Sequence, residues 1–278
     1  MQEKIKYYRN LANEFLNSPI SLTKMANREG TTRQTLAKHF RELGVEIINK
    51  QNRLKFDSTV FDSIDTEEKA YWLGFIFADG YISYDPLKNT SRYIFEISLK
   101  GSDKSHLDKF NKFMKHENAN KVTIENTKCG NVICKRCRWY VANKHLWETL
   151  NSYGCTPQKS LTLKFPDEGI FKSKDLIRHF IRGYFDGDGC FTRHIYSTIV
   201  TPAISFLGTK DFLDKIIKYT NIEANYRHDH KHSEFTWILE YYKEPGIELI
   251  NYLYDNCTIY LDRKYKLYKF FKKGSRSV

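Results

Sequence analysis

Two stretches set the hydrophobic pattern from which the rest of the chain is read. Tyr71-Trp72-Leu73-Gly74-Phe75-Ile76-Phe77-Ala78 is apolar throughout, ends on Asp79-Gly80 and is followed by Tyr81-Ile82. Phe180-Ile181-Arg182-Gly183-Tyr184-Phe185-Asp186-Gly187 runs into Asp188-Gly189-Cys190-Phe191. Aligning Gly74 with Gly183 places Ala78 on Gly187, Asp79 on Asp188 and Gly80 on Gly189, which marks an internal repeat. Each copy predicts a helix that closes at its carboxylate. Asp65-Thr66-Glu67-Glu68 supplies a capping-box start and Ser173-Lys174-Asp175 a weaker one. Gly80 and Gly189 stand where a left-handed residue would end each helix.

After each helix the period changes. Residues 81–84, 91–99, 121–125 and 138–142 alternate, or carry β-branched and aromatic side chains, and predict strands; 105–114 and 144–153 predict helices. The second copy keeps this order, with strands over 191–199, 202–207, 224–230 and 235–241 and helices over 210–219 and 246–253. Short pieces also recur, Leu107-Asp108-Lys109 against Leu213-Asp214-Lys215 and Gly154-Cys155-Thr156 against Asn256-Cys257-Thr258. Each unit reads αββαββα. The fold class is therefore α+β, with pseudo-symmetric repeats over 65–166 and 174–278 joined by a linker at 167–173.

Residues 1–48 read as a separate all-α module. Tyr7, Leu11 and Phe15 form one apolar stripe, Leu22, Met25 and Ala26 a second, Leu36, Phe40 and Leu43 a third. The glycine turn Arg28-Glu29-Gly30-Thr31-Thr32 separates the last two, an arrangement resembling a helix-turn-helix, with a small helical cap as the alternative. Its second helix would start near Thr32 and present Arg33, Gln34 and Lys38 to a major groove. Nine Lys and Arg against five Glu in residues 1–50 favour that contact, and the polar segment 49–64 reads as a linker.

The chain of 278 residues has a formal charge of +12 and is 15% aromatic, a balance that fits a polyanionic partner, most simply nucleic acid. Its longest apolar run, around Tyr71 to Ala78, is far shorter than the roughly 20 residues that span a bilayer. The first thirty residues hold no signal-peptide core, so the protein is expected to stay where it is made and not to be secreted, in the cytoplasm as a bacterial or phage-encoded protein or in another DNA-containing compartment. Six cysteines do not suggest a disulfide scaffold. Cys129, Cys134 and Cys137, with Cys155 as a fourth ligand, imitate a zinc site, but the second pair lacks ribbon spacing and free cysteines in a hairpin are the favoured reading.

Gly74 and Ala78, like Gly183 and Gly187, lie four apart on one helical face, where small residues let two backbones approach. Packing the two copies together would set Asp79 beside Asp188. Two carboxylates at the negative ends of helices need a counter-charge, and a divalent cation such as Mg²⁺ supplies it. Strand-borne side chains facing a polyanion should alternate with core ones. Arg92, Glu96, Ser98, Lys100, Arg136 and Arg138 are candidates in the first repeat, and Arg193, Tyr226, His228, His230 and His232 in the second. The alternating histidines could imitate a metal site, but their basic neighbours favour a DNA-facing strand. Lys144 and Lys243 hold one repeat position, where strand becomes helix.

The two long stretches resemble the paired motifs of the LAGLIDADG homing endonucleases in their single-chain form, over residues 65 to 272. The resemblance implies two four-stranded sheets forming a curved saddle on DNA, with the motif helices above the minor groove. It further implies a monomeric, site-specific double-strand DNA endonuclease, the product of a mobile genetic element, acting on a long asymmetric target. Asp79 and Asp188, with Gly80 and Gly189, would hold Mg²⁺, Ca²⁺ substituting without cleavage, while Lys144 and Lys243 stabilise charge or orient water. A departure is Phe77, where the family name has an acid; the second copy has Asp186 there, at a position that usually faces away from the metals. A non-cleaving DNA-binding regulator and an RNA-splicing maturase are the alternatives on this scaffold.

Overall fold

The computed structural model describes residues 2–18, 20–45, 47, 56–85, 87, 93–117, 121–129, 132–159, 162–196, 199–229 and 235–273. In the first repeat, helix α4 (Glu67–Asp79) begins at Thr66, whose hydroxyl accepts from the Lys69 N–H at 3.3 Å. It runs into β1 (Gly80–Tyr84), β2 (Tyr93–Lys100), α5 (Lys104–Phe113), β3 (Thr123–Cys129), β4 (Val132–Ala142) and α6 (Lys144–Ser152). The second repeat follows with α7 (Asp175–Asp188), β5 (Cys190–Tyr196), β6 (Ile199–Gly208), α8 (Lys210–Thr220), β7 (Asn225–His228), β8 (Trp237–Tyr242) and α9 (Lys243–Tyr254). Strand order is β1-β2-β4-β3 in one sheet and β5-β6-β8-β7 in the other, with every pair antiparallel. The αββαββα unit therefore appears twice. A last helix, α10 (Asp262–Lys272), has no counterpart among the predicted elements, because its buried face of Lys264, Tyr268 and Phe271 keeps helical spacing but carries a lysine where an apolar residue would mark the stripe.

Strict alternation buries one face of each sheet. In β4, Cys137, Trp139 and Val141 point into the core while Arg136, Arg138 and Tyr140 do not. The helices cover the buried faces, and α4 and α7 form the seam between the repeats. They lie side by side in parallel, and the glycines explain how closely. A Cβ on Gly74 would sit 1.9 Å from the Phe180 carbonyl oxygen, and one on Gly183 1.9 Å from that of Tyr71.

Three local expectations are corrected. Gly80 (φ −74) and Gly189 (φ −71) are extended rather than left-handed. Glycine is required there because a Cβ would lie 2.4 Å from the Ile76 oxygen in one case and 2.1 Å from the Phe185 ring in the other. The segment read as a linker at 49–64 belongs in its second half to the core: Val60, Phe61 and Ile64 are buried, and Ile64 bridges to Phe171 of the connection at 167–173, which holds the short 3₁₀ turn Glu168–Ile170. Helix α7 starts without a side-chain cap at Lys174.

Residues 2–45 form α1 (Gln2–Asn17), α2 (Leu22–Arg28) and α3 (Arg33–Glu42) around their own core of Leu11, Phe15, Met25, Leu36 and Phe40. Ser21 and Thr32 cap α2 and α3, and Gly30 takes the left-handed conformation (φ +63) that the intervening turn needs. Tyr7 is not part of the stripe: it is exposed and donates to Glu29 at 2.6 Å, while Tyr8 stacks on His39.

Candidate functional site

The parallel packing of α4 and α7 carries their last residues to the same end of the seam. A Cβ on Gly187 would lie 2.3 Å from that of Ala78 and 3.1 Å from Asp79 Oδ2, so the Asp79 carboxylate leans against the residue preceding Asp188. Burial at the seam, and then the charge of Asp188, push the Asp79 carboxyl up to about 7. Asp188 reaches further into solvent, yet the protein packed around it raises its carboxyl as well.

Two lysines meet these acids, and they are not the expected pair. Lys159 Nζ donates to the carbonyl of Gly80. Lys264 Nζ donates to the carbonyls of Phe185 and Gly189, and to that of Asp186 at 3.1 Å. Both lower the pKa values of Asp79 and Asp188 by their charge. Lys264 is itself buried, which brings its amine down to about 8.

Lys144 and Lys243 lie at the other end of the strands. Gly80 pairs with Ile97, whereas Ala142, two residues before Lys144, pairs with Ile94 at the far end of β2. Tyr242, just before Lys243, pairs with Ala203, two places along β6 from the partner of Cys190. At ~3.3 Å per residue both lysines are on the order of 13–16 Å along the sheet from the acids. Lys144 instead pairs with Glu148 at 3.5 Å, and Lys243 is exposed. The strand-to-helix junction repeats, but away from the acids. Lys159 and Lys264 each follow the recurring Cys-Thr piece, at three residues from Thr156 and at six from Thr258, so register matching passes over them.

The ammonium groups also change the donor set expected of Gly80 and Gly189. A carbonyl already accepting from a lysine is a poor ligand for a second cation, so of the four groups expected to hold one only the two carboxylates keep the donor chemistry for it.

The uncovered sheet faces flank this site. In the first repeat Glu96, Ser98 and Lys100 of β2 and Arg136 and Arg138 of β4 all project from that face, opposite Phe95, Ile97, Cys137 and Trp139. Arg138 donates to Glu96 at 2.5 Å, Ser98 to Glu96 at 2.7 Å and Arg136 to Glu125 at 3.2 Å, and the Arg138 guanidinium lies over the Tyr140 ring. A cleft of about 910 Å³ runs from Asp79 and Gly187 past Ser98, Lys100 and Arg136 to Arg263.

In the second repeat the expected parity is off by one. Tyr226 pairs with buried Leu239, so Tyr226 and His228 share the helix side of the sheet, where Tyr226 donates to Asp214 at 2.5 Å and His228 meets the edge of Trp237. Arg193 lies on the same side as Phe191, against the Phe270 ring. The uncovered face carries instead Thr192, His194, Ser205, Asn225, Arg227 and Glu240, with Arg227 donating to Glu240 at 3.3 Å. Arg92, His230 and His232 lie outside the described residues. Cys134 and Cys137 face opposite sides of β4, and among the described residues no group of three or more His, Cys, Asp or Glu could hold a metal ion.

On α3, Arg33, Gln34 and Lys38 are all exposed: Gln34 and Lys38 turn away from Leu36, Ala37 and Phe40, whereas Arg33 is in the first turn on the same face as those three.

No family model and no curated protein matches this chain. Solved structures do. The LAGLIDADG homing endonuclease I-GzeII in complex with its DNA target aligns at a TM-score of 0.47 and 15% identity, over 74% of this chain and 91% of that one. I-LtrWI, a LAGLIDADG homing endonuclease bound to target DNA, aligns at 0.48 and 14%, over 75% and 92%. The LAGLIDADG meganuclease I-AabMI, bound to uncleaved DNA, aligns at 0.46 and 12%, over 75% and 93%. Among the described residues no helix is long and apolar enough to cross a membrane.

Proposed function

We propose that this chain is a site-specific double-strand DNA endonuclease that hydrolyses phosphodiesters with a divalent cation held by Asp79 and Asp188. The observation that carries this reading is the meeting of those two carboxylates at matched helix ends, on the seam between two sheets. Adjacent carboxylates that hold their protons unusually well have an unmet need for positive charge, and hard oxygen donors suit Mg²⁺. When bound, the cation activates water and stabilises the leaving oxygen.

The residues of the chain do the rest. Lys159 and Lys264 fix two ammonium groups beside the acids, Lys159 half-exposed where the phosphate backbone of a duplex on the seam would pass and Lys264 buried behind the end of α7, and their charge counters negative charge growing on the phosphate. Arg136 and Arg138, held by Glu125 and Glu96, present oriented guanidinium groups for phosphate or base edges. The uncovered faces of the two repeats differ in charge, so the two half-sites differ and the target is asymmetric. One chain supplies both carboxylates and both lysines, which is why a monomer suffices. Helix α3 adds Arg33, Gln34 and Lys38 as a further contact.

The test is to incubate the protein with a randomised duplex library in Mg²⁺, with Ca²⁺ as control, and to sequence the ends. Double-strand ends at one defined sequence, formed only in Mg²⁺, support the reading. Enrichment of a bound sequence without cuts in either ion would assign a non-cleaving regulator instead.

A further inference from the structure

The acid that differs between the two copies has a place in the site. Asp186 is fully buried on α7, at the position aligned with Phe77. Its Oδ1 accepts from Tyr254 at 2.5 Å, and its Oδ2 accepts from Tyr71 and from the backbone N–H of Leu261, both at 2.7 Å. Leu261 is the residue from which α10 starts, and Lys264 lies in the first turn of that helix.

Neighbouring bonds tie down the same segment. Arg182 donates to the Ile259 carbonyl at 3.0 Å, and Glu67 accepts from the Thr258 N–H at 2.7 Å. The start of α10 is thereby held to both motif helices, and the Lys264 ammonium reaches the carbonyls at the end of α7. The first repeat does this differently. Phe77 contributes only an apolar ring, packed edge-on against Phe180, and Lys159 comes from a turn after α6 and stays half-exposed. The polar tether belongs to one half of the site.

We infer that Asp186 is a positioning residue: by holding the Leu261 N–H it sets the start of α10, and with it the place of Lys264 beside Asp188, for hydrolysis of one of the two DNA strands. This rests on the endonuclease reading. A buried carboxylate with three donors could also serve stability alone, and the difference is strand selectivity. Loss of stability has no reason to choose a strand.

The experiment uses the full chain and a duplex bearing the mapped target, with each strand labelled separately. Strand-specific rates are measured for wild type, Asp186→Asn, Lys264→Met and the double variant, together with affinity in Ca²⁺ and the thermal transition. Asp186→Asn is expected to slow the strand that Lys264→Met slows by about tenfold or more, and the other by less than about twofold, with affinity retained. The double variant should be no slower than Lys264→Met, because the two residues act through one interaction. Equal slowing of both strands, or effects that multiply, would overturn the inference. If Asp186→Asn shows no cooperative transition, Tyr254→Phe, which removes one donor only, decides by the same comparison. A wild-type chain that cuts neither strand would sink the endonuclease reading, and this inference with it.

Discussion

Gly183 and Tyr71 sit so close across the helix seam that a methyl group on the glycine would lie 1.9 Å from the tyrosine carbonyl oxygen. The opposing atom is backbone and cannot swing away. Gly183→Ala should therefore force α4 and α7 apart and cost about 3 kcal/mol, read from the denaturant midpoint. A loss below about 0.5 kcal/mol would mean that the helices do not meet as closely as this.

The lysines give a prediction that separates the two pairs. Lys159→Met and Lys264→Met should each slow cleavage by about tenfold or more and let nicked duplex accumulate, since each ammonium stands at one end of the acid pair. Lys144→Met and Lys243→Met should leave the rates within about twofold, being remote along the strands. Gel analysis of nicked and linear product over time reads both, and the opposite ranking would return the role to the strand-to-helix junctions.

The acid pair should also mark the pH dependence of stability. With its carboxyl raised to about 7, folded Asp79 binds a proton more tightly than the unfolded chain, so the fold loses stability as pH rises from about 4 to about 7. Asp79→Asn removes that penalty. Without divalent cation, its melting temperature should exceed that of wild type by a margin that grows from pH 4 to pH 7. A margin independent of pH would show that the carboxyl is not perturbed.

Removing residues 1–50 should leave cleavage possible, because both acids and all four lysines lie later in the chain. If Arg33, Gln34 and Lys38 reach DNA, the shortened protein should bind a long duplex more weakly, with a shallower salt dependence and a footprint reduced at one end. Unchanged affinity, salt slope and footprint would make the module a structural cap.

Much of the architecture was legible because hydrophobic period is a local property. The two copies of αββαββα, the facing small residues and the alternation of Glu96, Ser98 and Lys100 all follow from spacing within one element. What escaped depends on chain returning from a distance. Lys264 reaches the site through α10, whose start is fixed by a hydrogen bond from residue 261 to residue 186. Lys159 arrives from a turn with no period at all. Tyr226 and Arg193 fell on the wrong side because a strand's parity is set by its partner, here buried Leu239 for Tyr226, rather than by its own residues. The glycines after the acids were placed correctly in sequence but for the wrong cause, steric approach rather than a left-handed turn.

If Asp79 and Asp188 together hold the cation for hydrolysis, double-strand cleavage by Asp79→Asn and Asp188→Asn, measured beside their DNA affinity in Ca²⁺, reports it. Near-complete loss of double-strand cleavage is expected in each variant, with binding largely retained. Either variant cutting both strands at close to the wild-type rate would contradict it.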